Sequence, residues 1–294
     1  MIDLINAITF PHWISEDAIA IGSFSVKWYG ISYIIGLYGA YFYAASLVKK
    51  REIWTAGPSA RKPEIVPSNI MLQDLMFYCL IGIIVGGRLG YVLLYATDMF
   101  WTAPLNVLKV WEGGMSFHGG FLGVCGAVIY AARRKKVSLW RIADMAAVGA
   151  PIGLGAVRFL GNFINQELYG RVTDVPWGFI FSKAPDSQPR HPSQLYEAFL
   201  EGLVIFFVIR FLCLHHKALT KPGIASGTFI MLYGFFRFCV EFVREPDAPL
   251  FGPLTRGMSY SLPMVLIGAM ILLWAKRRAP VSPKRVEETA PVAA

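Results

Sequence analysis

Residues 28–48 read WYGISYIIGLYGAYFYAASLV, 21 residues without one charge, closed by Lys49, Lys50 and Arg51. About 20 apolar residues in a helix cross the hydrocarbon core of a bilayer. This stretch is therefore read as a membrane-spanning helix with a basic end. The same reading extends along the chain. Apolar runs at 70–95, 115–132, 142–164, 195–214, 223–242 and 257–275 give six more spans. The run at 257–275 is also uncharged, while the five between carry Asp74, Arg88, His118, Asp144, Arg158, Glu197, Glu201, Arg210, Arg237 and Glu241.

Composition agrees. The chain has 294 residues, of which 55% are hydrophobic and only 16% charged, with a mean hydropathy of +0.49. A soluble globular chain carries roughly 25% charged residues. A soluble enzyme, a disordered chain and a coiled coil are disfavoured. The net charge of +9 does not point to nucleic acid, because the positive residues sit in short clusters between apolar runs. Those clusters follow the first, third, fifth and seventh spans: Lys49 to Lys62, Arg133 to Arg141, Lys217 and Lys221, and Lys276 to Arg278. Seven spans put all of them on one side, which the positive-inside rule makes cytoplasmic. The amino terminus is then outside and the carboxyl terminus cytoplasmic. No Lys or Arg precedes Lys27, so the first span is expected to be retained rather than cleaved as a signal peptide. The four cysteines, Cys79, Cys125, Cys213 and Cys239, lie in apolar runs without a C-x-x-C partner and read as packing residues.

The expected architecture is an all-α polytopic membrane protein of seven transmembrane helices over 1–278. The segment 161–192, rich in Gly, Pro, Asn and aromatic residues, is expected to fold as a small outer, periplasmic cap. The tail 279–294 is expected to be disordered and cytoplasmic.

Ionisable residues at membrane depth are functional candidates by default. Tyr233, Arg237, Glu241 and Arg244 are spaced i, i+4, i+8, i+11 and form one helical stripe near the outer end of the sixth span. Two arginines for one carboxylate leave a positive excess suited to an anion, and Arg grips phosphate bidentately. Arg158, Asn162 and Asn165, with Glu167 beyond, make a second polar face. Its bland alternative is helix capping before Gly170. His118 stands between glycines in Ser116-Phe-His-Gly-Gly, where a backbone or ligand can approach closely. Its proton can move near neutral pH, although an interhelical hydrogen bond would also account for it. Gln194, Glu197 and Glu201 share a face and read as counter-ions for Arg88, Arg158 or Arg237. No acidic metal-type cluster, Walker loop or G-x-S-x-G is read, so no metal or cofactor is expected.

Six stretches together resemble the bacterial phosphatidylglycerol–prolipoprotein diacylglyceryl transferases. They are Lys27-Trp-Tyr-Gly, Gly86-Gly-Arg-Leu-Gly-Tyr, Trp111-Glu-Gly-Gly-Met-Ser-Phe-His-Gly-Gly, Gly161-Asn-Phe-Ile-Asn-Gln-Glu-Leu-Tyr-Gly, Arg190-His-Pro-Ser-Gln-Leu-Tyr-Glu and Arg237-Phe-Cys-Val-Glu-Phe-Val-Arg-Glu-Pro-Asp. They occur in the family's order. The resemblance implies transfer of a diacylglyceryl group from phosphatidylglycerol to the thiol of a lipobox cysteine in a prolipoprotein, forming a thioether and releasing glycerol phosphate. It implies both substrates, the lipid and the prolipoprotein signal peptide, as partners that arrive laterally in the inner membrane. It places family residues on Tyr29, His118, Arg158, Asn162, Glu167, Arg237, Glu241 and Arg244.

One departure stands out. The family pattern has Gly-Arg, two residues, then Asn-Phe, whereas here Val157-Arg158 is followed by Phe159, Leu160 and Gly161 before Asn162. One residue is extra, and a π-bulge would absorb it. On the family's chemistry His118 is the candidate base for the thiol, since the thiolate is the nucleophile. Arg158 and Arg237 would meet charge developing on the leaving phosphate, with Glu241 orienting Arg237. Asn162 and Glu167 would hold the glycerol head group, and Tyr29 would donate to a phosphate oxygen. Two rival readings are a lipid or anionic-solute transporter, which Arg88 and Asp74 would support, and an inactive lipoprotein-binding scaffold.

Overall fold

A computed structural model describes residues 7–22, 24–56, 63–246 and 254–284. Arg61, Lys62, Asp247 and the last ten residues of the tail lie outside these. Seven long helices carry the fold. They are α1 (Trp28–Lys49), α2 (Asn69–Tyr95), α3 (Phe117–Lys135), α4 (Leu139–Phe163), α5 (Ser193–His215), α6 (Ile224–Val240) and α7 (Arg256–Arg277). Each coincides with one apolar run of the sequence to within a few residues. Five of them (α1, α2, α4, α5 and α7) are long and apolar enough to cross a membrane. At 17 residues α6 is shorter, and α3 ends on Arg133, Arg134 and Lys135.

The helix starts are chemically marked. Ser68, Ser116 and Thr255 precede α2, α3 and α7, and each hydroxyl accepts a backbone N–H of the first turn. α3 stops where Lys136 turns left-handed at φ 52°. Packing is close because glycines face glycines. A Cβ on Gly36 would lie 2.8 Å from the Gly153 Cα, joining α1 to α4, and Gly90 meets Gly119 at 2.6 Å across the α2–α3 seam. The α2–α3 contact also uses Gly86 against Gly119 and Gly82 against Gly123. Gly87 instead faces the Met115 side chain.

The two ends of the bundle differ. At the basic end, Leu47, Ile53, Trp54, Ile142, Ile209, Cys213 and Leu219 form a buried core. Trp54 donates from Nε1 to the Leu47 carbonyl at 2.9 Å. Strand β4 (Pro63–Ile65) pairs in parallel with β6 (Ser282–Lys284), so part of the tail expected to be disordered is held in an ordered strand pair. The other end carries the cap, and it is built from two distant segments. Strand β1 (Ile8–Thr9) pairs in parallel with β5 (Phe179–Ile180), and β2 (Asp17–Ile21) forms a hairpin with β3 (Phe24–Lys27). Beneath them Phe10, Phe163, Phe179 and Phe181 pack ring on ring at 5.4–6.2 Å. The amino-terminal residues thus belong to the cap alongside 161–192. Lys183 reaches Glu16 at 3.1 Å, and this pair, with Lys27, holds the Glu16 carboxyl below its ordinary range.

Candidate active site

Three helices bring their charges together below the cap. α4 begins as a regular helix and changes over Val157–Phe163 to a π-helix. The wider π turn takes up the extra residue between Arg158 and Asn162, as the spacing suggested. Arg158 Nη1 donates to Asn162 Oδ1 at 3.3 Å, and Asn162 is buried. α5 carries a second π turn, Ala198–Val204, immediately after Glu197. α6 ends at Val240, so Arg237 lies on its last turn while Glu241 and Arg244, expected on the same helix, lie in the turn that follows it, with Arg244 bridged to Gly170.

Glu197 is the hub. Its side chain is fully buried. Its Oε1 accepts from Arg237 Nη1 at 2.9 Å and from Arg244 Nη1 at 3.1 Å, and its Oε2 lies 3.1 Å from Arg158 Nε. Glu201, one turn on and equally buried, has Oε2 3.6 Å from the same Nε. Glu241 pairs with Arg237 and with Arg244, at 3.7 Å for the latter, and accepts from the Thr255 hydroxyl. The expected positive excess is thus offset: three arginines face three glutamates. What distinguishes the cluster is which donors remain. Among the described residues neither Arg158 Nη2 nor Arg237 Nε has a hydrogen-bond partner, and both side chains keep about a seventh of their surface open (14% and 15%).

The other anticipated residues fall at different distances from this centre. Tyr29, on the first turn of α1, lies against the π turn: a Cβ on Gly161 would be 3.1 Å from its ring. Glu167 is exposed at the end of that segment; its backbone N–H donates to the Asn162 carbonyl at 2.9 Å. Its own carbonyl accepts from Gln194 at the start of α5, and its carboxylate accepts from Asn165 at 3.3 Å. Tyr233 is buried one turn before Arg237, its ring stacked on Phe229 at 5.9 Å. His118 makes no described contact with the arginines. Its exposed ring packs edge-on against Tyr260 of α7 at 5.7 Å. Tyr260 lies one turn beyond Gly257, where an added Cβ would run into the Glu241 carboxylate.

Cap and cluster are tied together by two arginines that were not among the candidate site residues. Arg171 Nε donates to the Arg244 carbonyl at 3.0 Å. Arg190, buried and lying over the Tyr169 ring, bonds Asp186 at 3.0 Å and Glu245 at 3.1 Å. Beside that guanidinium the Asp186 carboxyl titrates below its usual range. The signal available in the sequence was the Arg190-His-Pro-Ser motif, whose partners depend on tertiary folding.

Arg88 and Asp74, which would favour a transporter, have local explanations. Arg88 donates to the carbonyls of Val107, Asn106, Gly113 and Gly114, pinning the loop between α2 and α3. Asp74 pairs with Lys135 at the basic end.

The chain is similar to proteins of one family. Residues 16–274 match the family model described as prolipoprotein diacylglyceryl transferase. Proteins of Brucella anthropi, Brucella canis and Brucella ovis, each named phosphatidylglycerol–prolipoprotein diacylglyceryl transferase, are 45% identical over 278 residues, covering 93% of this chain and 94% of theirs. With the family model matched over most of the chain and relatives 45% identical along nearly the whole of it, this chain belongs to the prolipoprotein diacylglyceryl transferase family.

Proposed function

We propose that this chain transfers the diacylglyceryl group of phosphatidylglycerol to the lipobox cysteine thiol of prolipoproteins. Membership of the family and the names of its relatives support the reaction. The observation that carries the site assignment is the pair of open guanidinium donors, Arg158 Nη2 and Arg237 Nε, in a buried, ion-paired cluster. The thiolate sulfur attacks the glyceryl carbon, the carbon–sulfur bond forms and the carbon–oxygen bond to phosphate breaks. The electron pair leaves on the phosphate of glycerol phosphate, and the thiol proton goes to a base. Charge therefore grows on phosphate oxygens, where preorganised cations lower the barrier most. Glu197 and Glu241 fix the arginines beforehand, so little reorganisation is needed during the reaction. Asn162 and Glu167 are assigned to the glycerol head group, Tyr29 to a phosphate oxygen, and Tyr233 and Arg244 to the walls of the same pocket. His118 is assigned as the base; its exposed ring beside Tyr260 is accessible to a substrate entering from the side.

The finer topology belongs to the same reading: seven spans, cap and cluster on the periplasmic side of the inner membrane, the basic end cytoplasmic. The clustering of Lys49, Lys135, Lys221 and Arg277 at one end of the bundle supports it. An apolar cavity of about 490 Å³ between α4 and α5, lined by Pro151, Phe159, Phe199, Leu203 and Phe206, fits lateral arrival of lipid.

The test uses purified protein in phosphatidylglycerol vesicles with a synthetic lipobox peptide. Mass spectrometry is expected to show one diacylglyceryl group on the cysteine peptide and none on its Cys→Ser control. Folded, lipid-binding protein that adds nothing would move the assignment to a scaffold.

A further inference from the structure

We propose that Glu201 is a positioning residue for the transfer: from the π turn of α5 it holds the Arg158 guanidinium in the plane that presents Nη2 to the leaving phosphate. The proposal rests on the role given above to Arg158. Glu201 is fully buried, and neither of its oxygens accepts a hydrogen bond. Buried polar atoms nearly always have partners, and exceptions call for a reason. A carboxylate without donors at membrane depth is costly. Its one ion-pair partner among the described residues is Arg158, with Nε at 3.6 Å.

Holding the helices together does not account for it. Glu197 already bridges α4, α5 and α6 through all three arginines. The backbones are joined independently, since a Cβ on Gly202 would lie 2.8 Å from the Gly155 Cα. What Glu201 adds is a second anchor on one edge of a single guanidinium. Arg158 is planar, with donors in a rigid fork. Glu197 and Glu201 face its Nε at 3.1 and 3.6 Å, and Asn162 takes Nη1 at 3.3 Å. With one carboxylate and one amide, the plane could still pivot about the line between them. The second carboxylate, displaced by one turn of α5, removes that freedom. Two π turns bring this about. One carries Arg158 past the extra residue of α4, and the other begins directly after Glu197 and contains Glu201.

A double-substitution cycle in the vesicle assay tests this, with full-length protein and its thermal melting followed in parallel. Glu201→Gln keeps the volume and removes the charge. Its kcat is expected to fall about 10²-fold, the scale of an ångström-level misplacement of a catalytic group, with KM for the lipobox peptide and the melting curve unchanged. In an Arg158→Gln background the same substitution should cost less than about two-fold, because residues acting as a unit are not additive. Turnover of Glu201→Gln near the parent's, or an equal loss in both backgrounds, overturns the proposal. Near-parent turnover of Arg158→Gln alone overturns the reading of Arg158 first and the proposal with it. Should Glu201→Gln fail to fold, Glu201→Asp, which keeps charge and shortens reach, is measured against the same outcomes.

Discussion

Two carboxylate centres lie on α4 and its neighbours, one at each end of the bundle, and they are satisfied in opposite ways. At the basic end Asp144 is completely buried. It accepts from the backbone N–H groups of Gly223 and Ser226, both at 2.8 Å, and from the Ser226 hydroxyl. Every donor comes from the first turn of α6, so the carboxylate caps that helix from another and meets the positive end of its dipole. Nearby Arg141 closes the same knot by donating to the Leu219 carbonyl and lying over Trp54 at 5.2 Å. At the cap end Glu197, Glu201 and Glu241 are met by guanidinium groups rather than by fixed backbone. Backbone donors saturate a carboxylate and leave nothing over. An arginine has five N–H groups, so a cluster of arginines and glutamates can be charge-balanced and still offer donors to a ligand. Equal burial of equal chemical groups therefore makes a structural lock in one place and, on the proposed reading, a binding centre in the other.

The comparison predicts a separation of activity from stability. Removing Arg237 should have the largest effect. Arg237→Ala is expected to lower kcat by about 10²–10³-fold, the scale of losing one electrostatic stabiliser, while the protein still melts as a folded unit. Near-normal turnover in phosphatidylglycerol vesicles would break the phosphate-clamp reading. His118→Gln should follow, with a loss of about 10²-fold or more if the imidazole takes the thiol proton. A fall that disappears when the peptide thiol is already ionised at high pH would sharpen that assignment.

Asp144→Ala should behave in the opposite manner. It leaves the first-turn N–H groups of α6 without an acceptor, at about 1–3 kcal/mol for each unsatisfied group. Detergent-solubilised protein should melt at a lower temperature, with the kcat of the folded fraction close to the parent's. A kcat loss matching that of Arg237→Ala would erase the distinction between the two ends. The smallest effect concerns the cap. Glu16 titrates below its usual range because Lys183 and Lys27 bond it. A depressed folded value contributes stability that is present above the unfolded value and lost as pH falls through the folded one. Cap stability, read by protease protection of the amino-terminal strands, should therefore weaken on acidification below the ordinary carboxylate range. Glu16→Gln should flatten that response without changing turnover at neutral pH.

Much of this was readable in the chain. The pairing of Arg237 with Glu241 and of Arg158 with Asn162 follows from their spacing four residues apart, although Glu241 and Arg244 lie beyond the last turn of α6. Counting residues against the family motif located the π turn, because an extra residue in a helix whose ends are fixed must widen one turn. The positive excess inferred from Arg237, Glu241 and Arg244 was corrected by folding. Glu197 and Glu201 lie some forty residues away in sequence, and their choice of Arg158 and Arg237 over Arg88 depends on which helix faces meet. The amino-terminal strand against Phe179 and Ile180, and the strand at 282–284, escaped for a related reason. Strands of two or three residues carry no period of their own and exist only through a partner supplied by another part of the chain.

By itself the sequence determined the apolar spans, the basic flanks and the reactive side chains on each helix face, because hydropathy and the 3.6-residue period act locally. Tertiary structure alone decided which charges neutralise one another and which are left with a free donor. That outcome depends on distances between side chains from α4, α5 and α6, and only the packing of their glycine-lined faces sets those distances.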